Sequence, residues 1–266
     1  MRVQHGWYQL LSDDERQSAS AQPFPHVPRR TMQPVPVAQP PLPLQHRVSA
    51  VIENFDELVS YYDAKVPFRR DGQYESHRRT IDRRLELNSL SAAIADDVFT
   101  GYLYQTLQLW GIGRRASHLV PLDQFRLRLQ ECQRDIDVLD GLSIEDDSLD
   151  VENVIQHVDK LISHLRIVDN KSLIVPGTKT LHHLLPDLVP PMDRRFTGAF
   201  FGWWPIDPQS RQTAIFTTAF RSLAEIARAT KPARLVGTGW RTSPSKLLDN
   251  GVVAYCLSSG IKPRGT

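Results

Sequence analysis

The 266-residue chain has only two cysteines, Cys132 and Cys256, far apart in sequence. Two such thiols cannot build a disulfide framework, nor a four-ligand zinc site by themselves, so a reducing compartment is expected. Long apolar runs are missing as well. No stretch reaches the roughly 18 apolar residues of a membrane-crossing helix, and no apolar segment follows Arg2 to make a signal peptide. A soluble, cytoplasmic protein without a membrane partner is the expectation. An excess of one charge is also lacking. Lys and Arg total 32 against 30 Asp and Glu, for a net charge of +2, so charge alone names no partner. Alternating strand patterns are absent apart from "RLVGTGW", which reads as one short extended piece. No repeat of roughly 20 to 50 residues marks a solenoid. P-loop, dinucleotide, Cys-x-x-Cys, His-Glu-x-x-His and Ser-His-Asp signatures are all missing, and those enzyme classes lose support.

What is present is 41% hydrophobic residues, enough for one good core. Eight of the 19 prolines fall between Pro23 and Pro43. Residues 1–46 are therefore expected to form a disordered, polyproline-II-like arm. Its Pro40/Pro43 PxxP pair is either a docking peptide for a protein partner or a plain linker. Residues 47–266 are expected to form a single all-helical domain.

The domain reads as a bundle of about six to seven helices. "VSAVIENFDELVSYYDAK" carries Val51, Ile52, Phe55, Leu58, Val59 and Tyr62 on one face, and Pro67 closes it. "FRRDGQYESHRRTIDRR" reads as a basic connector. A long helix follows from Asn88 to the Gly-x-Gly stop at Gly111. Further helices run from Pro121 to Leu139, across "DVENVIQHVDKLISHLRIVD", across "RQTAIFTTAFRSLAEIARAT", and across "SPSKLLDNGVVAYCLSSG".

The densest stretch is "LIVPGTKTLHHLLPDLVPPMDRRF". Pro176-Gly177 is a turn signal, and Gly177 suits a positive φ. Thr178 then stands as an N-cap, Lys179 begins a helix, and Pro186 ends it. Asp193 is placed to cap a helix beginning at Arg194. This outline resembles the helix-hairpin-helix DNA glycosylases. The resemblance implies a hairpin at Val175 to Thr178, a nucleophilic lysine at Lys179 and an aspartate at Asp193. Three landmarks, "GYLYQTLQLWGIGRR", "GTKTLHHLLPDLVPPMDRRFT" and "TSPSKLLDNGVVAY", also look like those of a family of uncharacterised microbial all-helical proteins. That likeness implies fold and site location without a reaction.

Each candidate group has two readings. Lys179 with Asp193 is either a Schiff-base pair or an ordinary ion pair at helix starts. His182 and His183 project about 100° apart on a helix, so one ion rarely takes both. His183 and Asp187 share a face, but no third ligand is evident, and no metal or cofactor is expected. Asp249 and Asn250 sit mid-helix beside Gly251. They are expected in a buried polar network with Lys179, Arg194 or a ligand as partner. Lys246 and Lys179 either cradle a phosphate at two helix N-termini or follow two plain caps. Arg69, Arg70, Arg78, Arg79, Arg83 and Arg84, with Phe68 and Tyr74, track a nucleic acid or form a solvated loop. "FFGWWP" is a core plug, or a stacking platform at Trp203 or Trp204.

Two functional readings stay open. One is a DNA-associated protein of helix-hairpin-helix type with degenerate or absent glycosylase chemistry. Its binding residues would be Gly177, Lys179, His182, Asp193, Arg194, Lys246, Asp249 and Asn250. The other is a non-catalytic interaction module whose proline-rich arm docks a protein. A third reading is an enzyme with Lys179 and Asp193 at work on a small or base-like substrate.

Overall fold

The structure, a computed structural model, describes residues 42–65, 72–113, 118–203 and 211–261. The arm up to residue 41 lies outside the described residues, as do Pro67, Phe68, Arg69, Arg70 and Trp204. Eleven α-helices occur among the described residues. They are α1 (Leu44–Glu53), α2 (Phe55–Lys65), α3 (Gln73–Glu86), α4 (Leu90–Ala95), α5 (Asp97–Leu109), α6 (Leu122–Asp137), α7 (Val151–Leu165), α8 (Ile174–Leu184), α9 (Thr197–Phe201), α10 (Gln212–Thr230) and α11 (Pro244–Ser258). A 3-10 turn covers Pro232–Leu235 and takes in Arg234 and Leu235, the first two residues of the stretch expected to be extended. The only β feature among the described residues is one bridge between Leu119 and Val168. The all-α expectation holds, with more and shorter helices than the six or seven expected.

The extra helices come from breaks at polar residues. Asn54 turns its side-chain amide back onto the Ala50 carbonyl at 2.9 Å, which separates α1 from α2. Asp96 ends α4 and caps α5, with its carboxylate accepting the Phe99 N–H. The start of the domain also moves. Leu44, Gln45 and His46 belong to α1 rather than to the arm, because Pro43 precedes the first helical turn and its carbonyl accepts Arg47 N–H at 3.2 Å.

The largest correction is α3. The segment expected as a connector is a 14-residue helix that follows Gly72 in the left-handed region, φ +76. Its buried face is Gln73, Ser76, His77, Thr80 and Ile81. Ser76 and Thr80 satisfy their hydroxyls on Thr106 of α5 at 2.6 and 2.9 Å. Polar groups can line a core when each finds a partner.

The amphipathic helices behave as read. Val154, Val158, Leu161, Ile162 and Leu165 of α7 are all buried. They pack on α6, α8 and α10 around a single core. At its centre is α11, in which every residue from Pro244 to Cys256 is buried. A helix enclosed on all sides cannot place Asp249 and Asn250 in water, so it must satisfy them internally. Trp203 is buried, as a core plug requires.

Candidate functional site

The Pro-Gly hairpin is not where the sequence pointed. Helix α8 runs unbroken from Ile174 to Leu184, and Gly177 lies within it without a positive φ. Pro176 is the third helical residue, where a backbone donor would have no intrahelical acceptor. Gly177 N–H already donates to the Leu173 carbonyl at 2.8 Å. The glycine serves packing. A Cβ there would lie 2.9 Å from Ile162 Cγ1 of α7. The turn between α7 and α8 comes earlier, where Arg166 takes φ +38. Lys179 is therefore in the second turn of α8, not at a helix start. Thr178 is not a cap; its hydroxyl donates to the Ile174 carbonyl at 2.7 Å.

That same hydroxyl builds the site. It accepts Met192 N–H at 3.2 Å, which fastens the extended Pro190-Pro191 stretch alongside α8. Asp193 follows immediately. Its carboxylate accepts Phe196 N–H at 2.6 Å, while Thr197 Oγ accepts Asp193 N–H at 3.1 Å. The helix expected at Arg194 begins instead at Thr197, so Asp193 caps the turn Arg194–Phe196 that leads into α9 rather than the helix itself.

Lys179, Asp193, Lys246 and Asp249 line one cleft, with Gln73, Trp110, Pro191, Met192 and Trp240. The cleft encloses about 390 Å³ between atoms, its mouth included. Lys246 is buried at 1% exposure and reaches Asp249 Oδ2 and Asn250 Oδ1, each at 2.6 Å. Its ammonium also lies 5.2 Å from the ring centres of Tyr62 and Trp240. Asn250 donates to the Trp240 carbonyl at 3.0 Å. The buried network expected of Asp249 and Asn250 is present, and its partner is Lys246 from the same helix. Lys179 Nζ donates to the Trp110 carbonyl at 3.3 Å and lies 5.5 Å from the Trp110 ring centre.

Burial pushes the Lys179 amine below its ordinary range, against the opposing pull of Asp193 and Asp249. Burial, then the neighbouring Asp249, pushes the Asp193 carboxyl up, while Lys179 opposes. Two cations face two carboxylates, so the cleft carries no strong net charge. It suits a flat polar ring better than a phosphate, and the phosphate cradle loses its second helix start. Trp110 and Trp240 present their rings 6.5 Å apart, centre to centre, and tilted by 40°. Such faces accept aromatic rings.

Behind the tryptophans stand three histidines, all fully buried. His183 Nδ1–H donates to the Lys179 carbonyl at 2.7 Å. This leaves His183 Nε2 as an acceptor for His77 Nδ1–H at 3.0 Å. His77 Nε2 then accepts from the Thr242 hydroxyl at 2.8 Å. His182 Nδ1–H is shared between the Val189 carbonyl at 3.1 Å and Ser245 Oγ at 2.9 Å. Ser245 spends its own proton on the Pro186 carbonyl at 2.6 Å. These bonds fix the tautomers.

Other expected residues fall elsewhere. Gly177 is interior packing. Arg194 is exposed, donating to Ser172 Oγ at 2.7 Å, and does not line the cleft. Asp187 is exposed. The α3 arginines are engaged: Arg78 with Asp82, Arg83 with Glu86 and Asp96, Arg84 with Asp140, and Arg79 with Gln105 and the Tyr102 ring. Sequence reasoning missed Gln73, His77, Trp110 and Trp240. Both tryptophans stand beside glycines, Trp110 at the end of α5 and Trp240 in the turn before α11, where the local structure does not itself require a large ring. His77 had no signal beyond its place in the misread segment.

Compared with protein-family models, curated proteins and solved structures, the chain matches none.

Proposed function

We propose that the cleft holds a flat, base-like ring against Trp110 and Trp240, with Lys179 as a reactive amine and Asp193 as its proton partner. The supporting observation is the convergence of Lys179, Asp193, Lys246 and Asp249 in one tryptophan-walled cleft. The lysine and aspartate implied by the glycosylase resemblance thus face one cleft, though the hairpin that suggested them is absent. An amine nucleophile attacks C1′ of a base-bearing sugar, the base leaves with one amine proton, and the sugar ring opens to an imine as O4′ takes the other; on the aldehyde of an abasic sugar the imine forms with loss of water. The same chemistry fits a base-bearing sugar in nucleic acid or a free nucleoside. Because the α3 arginines are already paired, this reading places recognition in the cleft rather than on the phosphate backbone.

Two measurements test it. Free nucleosides should change the tryptophan fluorescence in a saturable way that Trp240→Ala removes. Single-stranded DNA carrying an abasic site should give a borohydride-stable adduct with the wild type and none with Lys179→Ala. An adduct without a nucleoside response assigns the ligand to nucleic acid, and the reverse assigns it to free nucleosides. Neither response, or an adduct that survives Lys179→Ala, would sink the proposal.

A further inference from the structure

His77, His182 and His183 come from α3 and α8, and each offers one ring nitrogen within 4.8 Å of the others. We propose that these three imidazoles form a binding site for a zinc ion directly behind the Trp110–Trp240 wall. This stands whether or not the cleft binds a base-like ring.

Zinc bonds imidazole nitrogen at about 2.0–2.1 Å, so two histidines on one tetrahedral ion have ring centres roughly 5 Å apart. The observed centre distances are 5.6 Å for His77–His182, 5.1 Å for His77–His183 and 5.0 Å for His182–His183. All three pairs therefore sit near the spacing that a shared ion imposes. A hydrogen-bonded pair would explain one of them.

The unpartnered atom is the second observation. His182 Nε2 is buried and has no hydrogen-bond partner among the described residues. Its other nitrogen is held by Val189 and Ser245, so Nε2 carries the lone pair. Burying such an acceptor unsatisfied is costly; a cation would repay it. The surroundings of His183 follow the same pattern, with Nδ1–H spent on the Lys179 carbonyl and Nε2 left as the lone pair. A ligating histidine characteristically donates its other N–H to a carbonyl, carboxylate or water.

His77 completes the set by moving one proton. Without metal, its Nδ1–H donates to His183 Nε2 and its Nε2 accepts from Thr242. With zinc on Nδ1, the proton sits on Nε2 and donates to Thr242 Oγ, whose hydroxyl turns away. No histidine proton is lost. Three nitrogens leave the fourth position of a tetrahedral ion for water, as in catalytic zinc sites.

The charges nearby do not forbid the ion. Lys179, Lys246 and Arg78 act against positive charge on these rings, while Asp193 and Asp249 offset the two lysines from the cleft side. Burial first, then the neighbouring rings and Lys246, keeps His77 and His182 well below their ordinary values; burial holds His183 at about 4. Neutral imidazole is the form that binds metal.

The test uses the full chain, freed of metal with a chelator and titrated with zinc or cobalt(II). Zinc should bind at one equivalent and raise the thermal midpoint. Cobalt(II) should show the visible absorption of a tetrahedral nitrogen site. His182→Asn keeps a donor for Val189 and Ser245 but removes Nε2. His77→Gln keeps a group for Thr242 but removes Nδ1. Each should weaken binding by about 100-fold or more, beyond the loss known for outer-shell partners. His164→Ala, at an exposed histidine on α7, should bind as the wild type does. Histidine 15N NMR of the wild type identifies the ligand nitrogens even if a variant fails to fold. No stoichiometric binding, binding unaltered in both variants, or NMR shifts confined to other histidines would overturn the site.

Discussion

Gly177→Ala probes the continuity of α8 at the residue where a hairpin was expected. An alanine Cβ would lie 2.9 Å from Ile162 Cγ1, 3.1 Å from Cγ2 and 3.2 Å from Cβ. None of these atoms is the loose end of a flexible chain. Overpacking of this kind costs about 1–3 kcal/mol. Against it stands the helix preference of alanine over glycine, about 1 kcal/mol. The net loss should be about 0–2 kcal/mol, read as a shift in the urea midpoint by circular dichroism. Ile162→Ala removes Cγ1 and Cγ2, at its own cost of about 2–5 kcal/mol. In that background the clash is largely gone, and Gly177→Ala should stabilise by up to about 1 kcal/mol. The prediction is a reversal of sign. A positive-φ turn at Gly177 would instead make alanine unfavourable by about 1–2 kcal/mol in both backgrounds. A loss in both would refute the continuous helix.

Lys246→Met should destabilise by about 3–5 kcal/mol, because it leaves Asp249 buried without its cation. The double variant Lys246→Met/Asp249→Leu should recover part of this, and equal losses in single and double variants would contradict the pairing. Asp96→Ala removes the α5 cap and the Arg83 partner at 2.6 Å, for a loss of about 1 kcal/mol at neutral pH. The Arg83 guanidinium, and then the Phe99 N–H, hold the Asp96 carboxyl below its ordinary range. Its contribution is therefore complete above the unfolded value near about 3.9 and fades as pH falls through the lower folded value. Wild type and Asp96→Ala should converge in stability on acidification through that window, and parallel acid curves would count against it.

The helices that sequence made legible are those whose buried faces are apolar. On α7 and α10 the residues with the right spacing are the residues in the core. Helix α3 was illegible for the opposite reason. Its inward face is Gln73, Ser76, His77 and Thr80, and hydrophobic periodicity cannot register a polar face. That one misreading hid the third histidine. The pair His182–His183 on its own gave no reason to expect an ion, since adjacent helical positions diverge. Pro176-Gly177 misled because the residues that mark a turn also suit the first turn of a helix. The convergence of Lys179, Asp193 and Asp249 was legible in part. Prolines fixed the path to Asp193, and a polar Asp-Asn pair inside an apolar helix demanded an internal partner. The tryptophan walls were not legible, because what a ring meets at a helix end or in a turn is decided by distant segments.

The His77–Thr242 hydrogen bond joins residues 165 positions apart, and Trp110 meets Trp240 across a similarly long separation. Closing such loops is slow and entropically costly, and it is rewarded only when the enclosed helix α11 docks. No fragment ending before that helix can own a cleft. The two tryptophans thus make a natural clock for folding: their mutual environment should be the last signal to appear on refolding, well after helical circular dichroism. Proteolytic pieces that keep α3 to α8 would retain helix yet lose the tryptophan signature. A ligand in the cleft would tie α3 to α11, whereas a metal on the three histidines would tie α3 only to α8.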